Sequence, residues 1–152
     1  MGVKPELIAK KYFRLAGGTV PVNLERLCRW LGFEVVEWNG PLDFTAILSV
    51  PQRVIVVNKN MLVVRRRFSV AHELGHYALG QAGVQFFGER GRVERAANRF
   101  AAALLMPARP LRRLWEEYGC NVGFREDILA DIFLVSGQAL RLRIREGGLS
   151  KR

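Results

Sequence analysis

The chain carries its two histidines four residues apart, in the segment HELGH that runs from His72 to His76. Four residues are about one turn of an α-helix, so both imidazole rings would project from one face and could bind one metal ion. Glu73 would lie at the flank of that face, where a carboxylate can hydrogen-bond a metal-bound water without being a ligand. Histidines on an apolar helix are otherwise usually core residues, but both histidines in one motif favour a metal site with Glu73 as its catalytic carboxylate.

A catalytic zinc site usually has three protein ligands and a water, whereas a structural site is closed by four protein ligands. Since there is no third histidine, the remaining ligand would be a carboxylate, a cysteine or no protein group at all. We expect the third ligand to be Glu94, at the start of the next helix. Asn98 lies one turn further on, where it could hydrogen-bond a ligand. Glu89 in the preceding loop is an alternative, and Glu94 could instead be a solvated first-turn carboxylate. Small residues would let these two antiparallel helices approach closely: Ala71, Gly75, Ala97 and Ala101.

The hydrophobic pattern predicts an α+β chain with three short strands between two groups of helices. The predicted helices are 4–16, 24–31, 62–79, 92–106, 109–118, 124–134 and 136–145, and the predicted strands are 33–38, 44–50 and 53–58. The strands are separated by a few turn residues, which is typical of an antiparallel meander. We therefore expect a small twisted antiparallel or mixed sheet.

The charge of the chain is strongly positive, with 24 Lys and Arg against 14 Asp and Glu. This excess favours contact with nucleic acid or an acidic protein surface, although the arginines are scattered along the sequence. The sequence has neither a signal peptide nor an apolar run long enough for a membrane helix, so we expect a cytoplasmic protein with no membrane partner. Cys28 and Cys120 belong to no CxxC pair, which favours two reduced, mostly buried thiols over a disulfide framework.

Two strings in the expected order carry a family resemblance. RRRFSVAHELGHYAL (65–79), followed by ERAANRFAAALLMP (94–107), resembles the ImmA/IrrE family of metallo-endopeptidases, and a weaker likeness extends upstream and downstream. By motif position, the resemblance implies Zn²⁺ bound by His72, His76 and Glu94, with Glu73 as the catalytic carboxylate and Asn98 beside the ligands. The chain departs from the family where Gly80 replaces a frequent histidine and Ala96 replaces a frequent acidic residue.

The resemblance also implies a zincin-like, gluzincin-like fold, in which the sheet packs on the HExxH-bearing helix and further helices follow. Residues 1–120 would form the metallopeptidase core and 121–152 a C-terminal helical segment packed on it, within one compact domain. The implied function is that of a zinc endopeptidase that cleaves a helix-turn-helix transcriptional repressor and relieves repression of mobile-element, prophage or stress-response genes. We expect the substrate to pair with the edge of a strand, either FTAILSV or RVIVVN.

Two other functions stay open. The segment FREDILADIFLVSGQALRLRIREGG (124–148) has a helix, a turn and an Arg-rich second helix, so direct DNA binding is a less favoured alternative. A metal-retaining module that sequesters a repressor without turnover is the other. The donor to the oxyanion is not evident, and Tyr77, Tyr118 and Arg99 are the candidates.

Overall fold

The computed structural model describes residues 2–40, 44–83, 90–121 and 123–149. Within these ranges the chain forms α1 Pro5–Leu15, α2 Leu24–Trp30, β1 Glu34–Trp38, β2 Ala46–Ser49, β3 Val54–Asn58, α3 Val63–Ala78, α4 Arg90–Leu105, α5 Ala108–Glu117, α6 Arg125–Phe133 and α7 Gly137–Glu146. The α+β class is confirmed. Local signals set several boundaries: the Asn23 side chain caps α2 by accepting from the Arg26 backbone N–H at 2.8 Å, and Ser136 caps α7 in the same way.

The three strands form one mixed sheet in the order β1-β3-β2. β3 pairs in parallel with β1, where Val36 lies opposite Val56, and antiparallel with β2, where Ile47 lies opposite Val56. The predicted antiparallel meander is therefore wrong in its first step, because β1 pairs with β3 and not with β2. Alternating β-branched residues indicate a strand in either kind of pairing, so the pattern could not decide which neighbour β1 would have.

The central position of β3 bears on substrate binding. Its inner residues Ile55 and Val57 are buried, and both of its edges are occupied by β1 and β2. A substrate segment cannot add to a strand whose hydrogen-bonding groups are already paired on both sides. Of the two predicted strands considered for pairing with substrate, RVIVVN is thus excluded. β2 has one edge that pairs with no other strand of the described residues.

Helix α3 lies between the sheet and α4, and it contacts β2, β3 and α4. The two helices run antiparallel, since His72 meets Asn98 whereas His76, one turn later, meets Glu94. Gly75 faces α4 at very short range: a Cβ atom there would lie 3.0 Å from the carbonyl oxygen of Ala97. This close approach agrees with the small residues in both helix sequences.

The C-terminal helices share the hydrophobic core of the rest of the chain. One cluster of buried side chains includes Leu74 and Phe100 as well as Leu129, Phe133 and Leu140 from α6 and α7. The division of the chain at residue 120 stays a prediction. None of the helices within the described ranges is long and apolar enough to cross a bilayer.

The two cysteines are free thiols in different surroundings. Cys28 is buried in α2, and burial raises its pKa to about 11. Cys120 is exposed just after α5. The expectation that both thiols are mostly buried is therefore wrong for Cys120, because the sequence around it contains a helix end and not a strand or helix interior.

Candidate metal centre

Helices α3 and α4 bring together the three side chains proposed as ligands. The Nε2 atoms of His72 and His76 lie 3.0 Å apart. Glu94 places Oε2 3.1 Å from Nε2 of His72 and Oε1 3.3 Å from Nε2 of His76. One ligand atom from each residue lies within 4.8 Å of the others, close enough for all three to bind a single metal ion.

The other ring nitrogen of each histidine contacts a carboxamide oxygen. Nδ1 of His72 lies 2.8 Å from Oδ1 of Asn98, and Nδ1 of His76 lies 3.2 Å from Oε1 of Gln81. Because a carboxamide oxygen can only accept a hydrogen bond, each Nδ1 must donate. In the neutral rings both Nε2 atoms therefore direct a lone pair towards the same point.

This arrangement fits a divalent cation. Two Nε2 lone pairs and two carboxylate oxygens face one another without a hydrogen-bond donor between them, which is unfavourable unless a positive charge lies among them. Burial lowers the pKa of His72 and the neighbouring His76 lowers it further, against the opposing effects of Glu94 and Asn98. A second proton on the His72 ring is thus disfavoured. Two imidazoles with one carboxylate form a known catalytic zinc set.

Glu73 lies beside this cluster at the edge of the sheet. Burial raises the pKa of its carboxyl group, and Glu94 contributes in the same direction, while His76 and a hydrogen bond from the backbone of Leu48 lower it. The carbonyl of Thr45 accepts from the Asn58 N–H, so residues 45, 47 and 49 bond to β3. The backbone N–H of Leu48 consequently points away from β3, to the other edge of β2, and this edge faces Glu73.

The family can now be assigned. The sequence model of the Peptidase M78 family, described as an IrrE N-terminal-like domain, matches residues 33–145. The chain belongs to the Peptidase M78 family. This match supports the resemblance to ImmA/IrrE metallopeptidases that the two motif strings indicated. No match is found among curated proteins.

The fold of this M78 chain is similar to that of a solved Mycobacterium tuberculosis transcriptional regulator. The similarity has a TM-score of 0.72 at 22% identity and covers 92% of this chain but 46% of the regulator. The M78 chain therefore spans about half the length of that protein. At this identity the likeness shows a shared fold.

The candidate oxyanion donors have other partners or no contact with the cluster. The hydroxyl of Tyr77 accepts from Arg53 at 3.3 Å, and its ring packs edge-on against Phe33. Arg99 forms an ion pair with Glu6 at 2.8 Å. Tyr118 packs against the hydrophobic core. The rival ligand Glu89 lies outside the described residues.

The contact between Gln81 and His76 was not predicted from the sequence. Gly80 has a positive φ of 68° and ends α3, so the chain turns back and the N–H of Gln81 donates to the carbonyl of His76 at 2.7 Å. The same turn brings the Gln81 side chain to the His76 ring. The sequence did contain a signal for this contact. Gly80 lies four residues after the second histidine and can end the helix, and the carboxamide of Gln81 follows directly.

Proposed function

We propose that the chain is a zinc-dependent endopeptidase that cleaves a helix-turn-helix transcriptional repressor in the cytoplasm. The observation that carries this proposal is the convergence of His72, His76 and Glu94 on one point, with the carboxylate of Glu73 beside them. Membership of the M78 family supports peptidase activity. The arrangement of an HExxH helix against a small sheet also supports the expectation of a zincin-like fold.

His72, His76 and Glu94 would hold the zinc, with Asn98 and Gln81 fixing the orientation of the two rings. Zinc bound there would supply Lewis acidity, polarising the scissile carbonyl and making a neighbouring water more acidic. The carboxamides would keep each imidazole in the tautomer that presents Nε2. The alternative of two core histidines does not account for two Nε2 lone pairs and two carboxylate oxygens that face one another.

Glu73 would act on the proton of the attacking water. A general base is most effective when its pKa lies near the working pH, and burial raises the pKa of Glu73 in that direction. Its carboxylate would accept the proton as the water attacks the carbonyl carbon. The same group would then return the proton to the departing amine, so that one side chain serves first as base and then as acid.

The free edge of β2 would bind the substrate backbone. An extended segment that adds to this edge would form hydrogen bonds with the backbone of Ala46, which points away from β3 as Leu48 does. Leu48 itself donates to Glu73, so a peptide on this edge lies next to the proposed base. Edge pairing would therefore hold the scissile bond in an extended form close to the metal centre.

The choice of a repressor as substrate rests on the family resemblance and on the description of the similar structure as a transcriptional regulator. The test is to co-express the protein with a helix-turn-helix repressor encoded beside its gene and to identify fragments by mass spectrometry. We expect a single cleavage with the wild type and none with Glu73→Gln, while both bind one zinc. Glu116→Gln, at an exposed position on α5, is the matched control and should cleave as the wild type does.

One outcome would contradict the role given to Glu73, and another would contradict the peptidase function. Cleavage by zinc-loaded Glu73→Gln would remove Glu73 from the mechanism. An intact repressor that binds wild type and Glu73→Gln equally well, with repression relieved in both, would instead indicate the sequestering module. Removal of the metal by a chelator should stop cleavage, and added zinc should restore it.

DNA binding by α6 and α7 is less well supported than repressor cleavage. In α7, Leu140 and Ile144 are buried, and the guanidinium of Arg143 donates to the carbonyl of Met106 at 3.2 Å. Residues 107–149 contain seven basic and six acidic side chains, so this part of the chain has little net charge. We infer that α6 and α7 pack as a cap on the core. A salt-dependent gel shift with random duplex DNA tests this, and strong binding at low salt would contradict it.

A further inference from the structure

A groove of about 750 Å³ lies next to the metal centre, between the start of α1, the C-terminal end of α3 and the outer side of α4. We call it the basic groove. Its lining includes Ile8, Leu79, Gln81 and four basic residues, Lys4, Arg92, Arg95 and Arg99. Gln81 belongs both to this lining and to the contact with His76, so one side chain separates the groove from a proposed zinc ligand.

The two helices α1 and α4, which border this groove, carry much of the positive charge of the chain. Residues 4–15 and 90–105, which include α1 and α4, hold eight basic and two acidic side chains. The two acidic groups are already engaged, because Glu6 pairs with Arg99 and Glu94 contacts both histidines. The groove therefore presents positive charge beside the site where a peptide bond would be cut.

A second large groove, lined by described residues, does not show this imbalance. That groove, of about 790 Å³, lies between α2, β1 and α3. It is lined by three acidic and three basic side chains, Glu25, Glu34, Glu37, Arg29, Arg66 and Arg67. The described lining of the basic groove has four basic side chains and no acidic one. Of these two grooves, the one next to the metal centre is therefore the better complement to negative charge.

We propose that the basic groove binds an acidic segment of the substrate protein next to the scissile bond, an inference that rests on the peptidase function proposed above. Lys4, Arg92 and Arg95 would attract Asp and Glu side chains, while Ile8 and Leu79 provide apolar contact for the segment between them. Since the groove is enclosed by three helices and is partly apolar, its dimensions suit a few residues of peptide better than a DNA duplex. The basic side chains of the groove would then select the substrate, and the metal centre would cleave its peptide bond.

The test measures binding without cleavage. Zinc-loaded Glu73→Gln protein is titrated against two fluorescent peptides of equal length, one with four Asp or Glu residues and one with Lys at the same positions, and anisotropy is recorded. We expect the acidic peptide to bind at least about tenfold more tightly. Arg95→Glu or Lys4→Glu, added to this background, should weaken binding of the acidic peptide by about 3- to 30-fold, because each replaces an attraction by a repulsion.

Arg113→Glu on α5 is the matched control, since it makes the same charge change at an exposed position outside the groove. It should alter binding of the acidic peptide by less than about twofold. Zinc content is measured for every variant, and Lys4→Glu keeps the test valid if Arg95→Glu disturbs the adjacent Glu94.

Three results would overturn the proposal. The first is an equal loss of affinity for the acidic peptide in Arg95→Glu and Arg113→Glu. The second is equal affinity of the protein for the two peptides. The third is displacement of the acidic peptide by a short duplex DNA that binds more tightly. If repressor cleavage fails while groove variants still discriminate between the peptides, the acidic-segment site stands and the peptidase function falls. If cleavage occurs but the groove variants have no effect, the reverse holds.

Discussion

The helix pairs α3–α4 and α6–α7 are joined by different kinds of residue. Between α3 and α4, Gly75 lies against the backbone of Ala97, and small side chains allow the helices to come close. In α6 and α7, by contrast, the buried side chains include large ones such as Phe133 and Leu140. The close approach of α3 and α4 allows His72, His76 and Glu94 to reach a common point. The large buried side chains of α6 and α7 instead contribute to the hydrophobic core.

The two pairs also differ in where their ionisable groups lie. In α3–α4, four ionisable side chains gather at the helix contact, and the described helix faces nearby carry excess positive charge. In α6–α7, the charged side chains of Arg141 and Glu126 lie outside and approach each other only to 3.9 Å. The chemistry is thus concentrated in one pair and the apolar packing in the other, and substitutions should affect the two pairs differently.

The largest effect should come from emptying the core beneath the cap. Phe133→Ala removes a fully buried ring from α6 and should lower the free energy of unfolding by about 3–5 kcal/mol. Urea denaturation followed by circular dichroism gives the value, and Phe124→Ala, at a side chain that is 71% exposed, is the control. If the cap belongs to one cooperative unit, a single transition remains. Two transitions, with zinc binding kept after the first, would show that the pairs unfold independently.

Gln81 should matter for the metal without much effect on the fold. Gln81→Ala removes the acceptor of the His76 Nδ1–H and should weaken zinc binding by about 10- to 100-fold, whereas Gln81→Glu should keep or exceed the wild-type affinity. Competition with a chromophoric chelator measures this. Gln138→Ala, at an exposed position in α7, is the matched control. A change of less than twofold in Gln81→Ala would mean that the contact with His76 does not orient the ring.

Several features of the fold and the centre followed from local sequence. The helix bounds could be predicted because the apolar period and caps such as Asn23 act within a few residues. The cluster of His72, His76 and Glu94 was expected from one-turn spacing on α3 together with the family resemblance. The antiparallel course of α3 and α4 also followed, since the loop between their motifs is short.

The remaining features depend on contacts between distant segments. The sequence could not decide the parallel pairing of β1 with β3, because the β-branched Val35 and Val36 suit a strand beside either neighbour. The approach of Leu48 to Glu73 and of Gln81 to His76 depends on where an edge strand and a helix end come to lie. The sequence predicted the candidate ligands and Asn98 beside them, but it could not predict the contacts made by Gln81 and by the backbone of Leu48.

Replacing a glycine by alanine should change the stability of the protein differently in the two helix pairs. Alanine at an interior helix position is favoured over glycine by about 1 kcal/mol, but at Gly75 its Cβ would press on the Ala97 carbonyl and on Phe100, at 3.0 and 3.1 Å. Overpacking typically costs about 1–3 kcal/mol, so Gly75→Ala should be destabilising by up to about 2 kcal/mol. At Gly137 the new Cβ meets only the mobile end of Arg141, so Gly137→Ala should not destabilise. The measurement is the thermal unfolding midpoint of both variants. Equal changes in this midpoint would contradict the inference that α3 and α4 approach closely at Gly75.

The smallest expected difference concerns the surface ion pairs of the two regions. Glu6 of α1 accepts from both Nε and Nη2 of Arg99 on α4, at 2.9 and 2.8 Å, whereas Arg141 and Glu126 are separated by 3.9 Å. Both pairs are partly exposed, so solvent screening limits each to less than about 1 kcal/mol. Double-mutant cycles with alanine, followed by urea denaturation, should give a coupling of about 0.5–1 kcal/mol for Arg99–Glu6 and about 0–0.3 kcal/mol for Arg141–Glu126. Because screening falls as salt is removed, the first coupling should grow at low ionic strength, and a larger coupling for Arg141–Glu126 would contradict the distances.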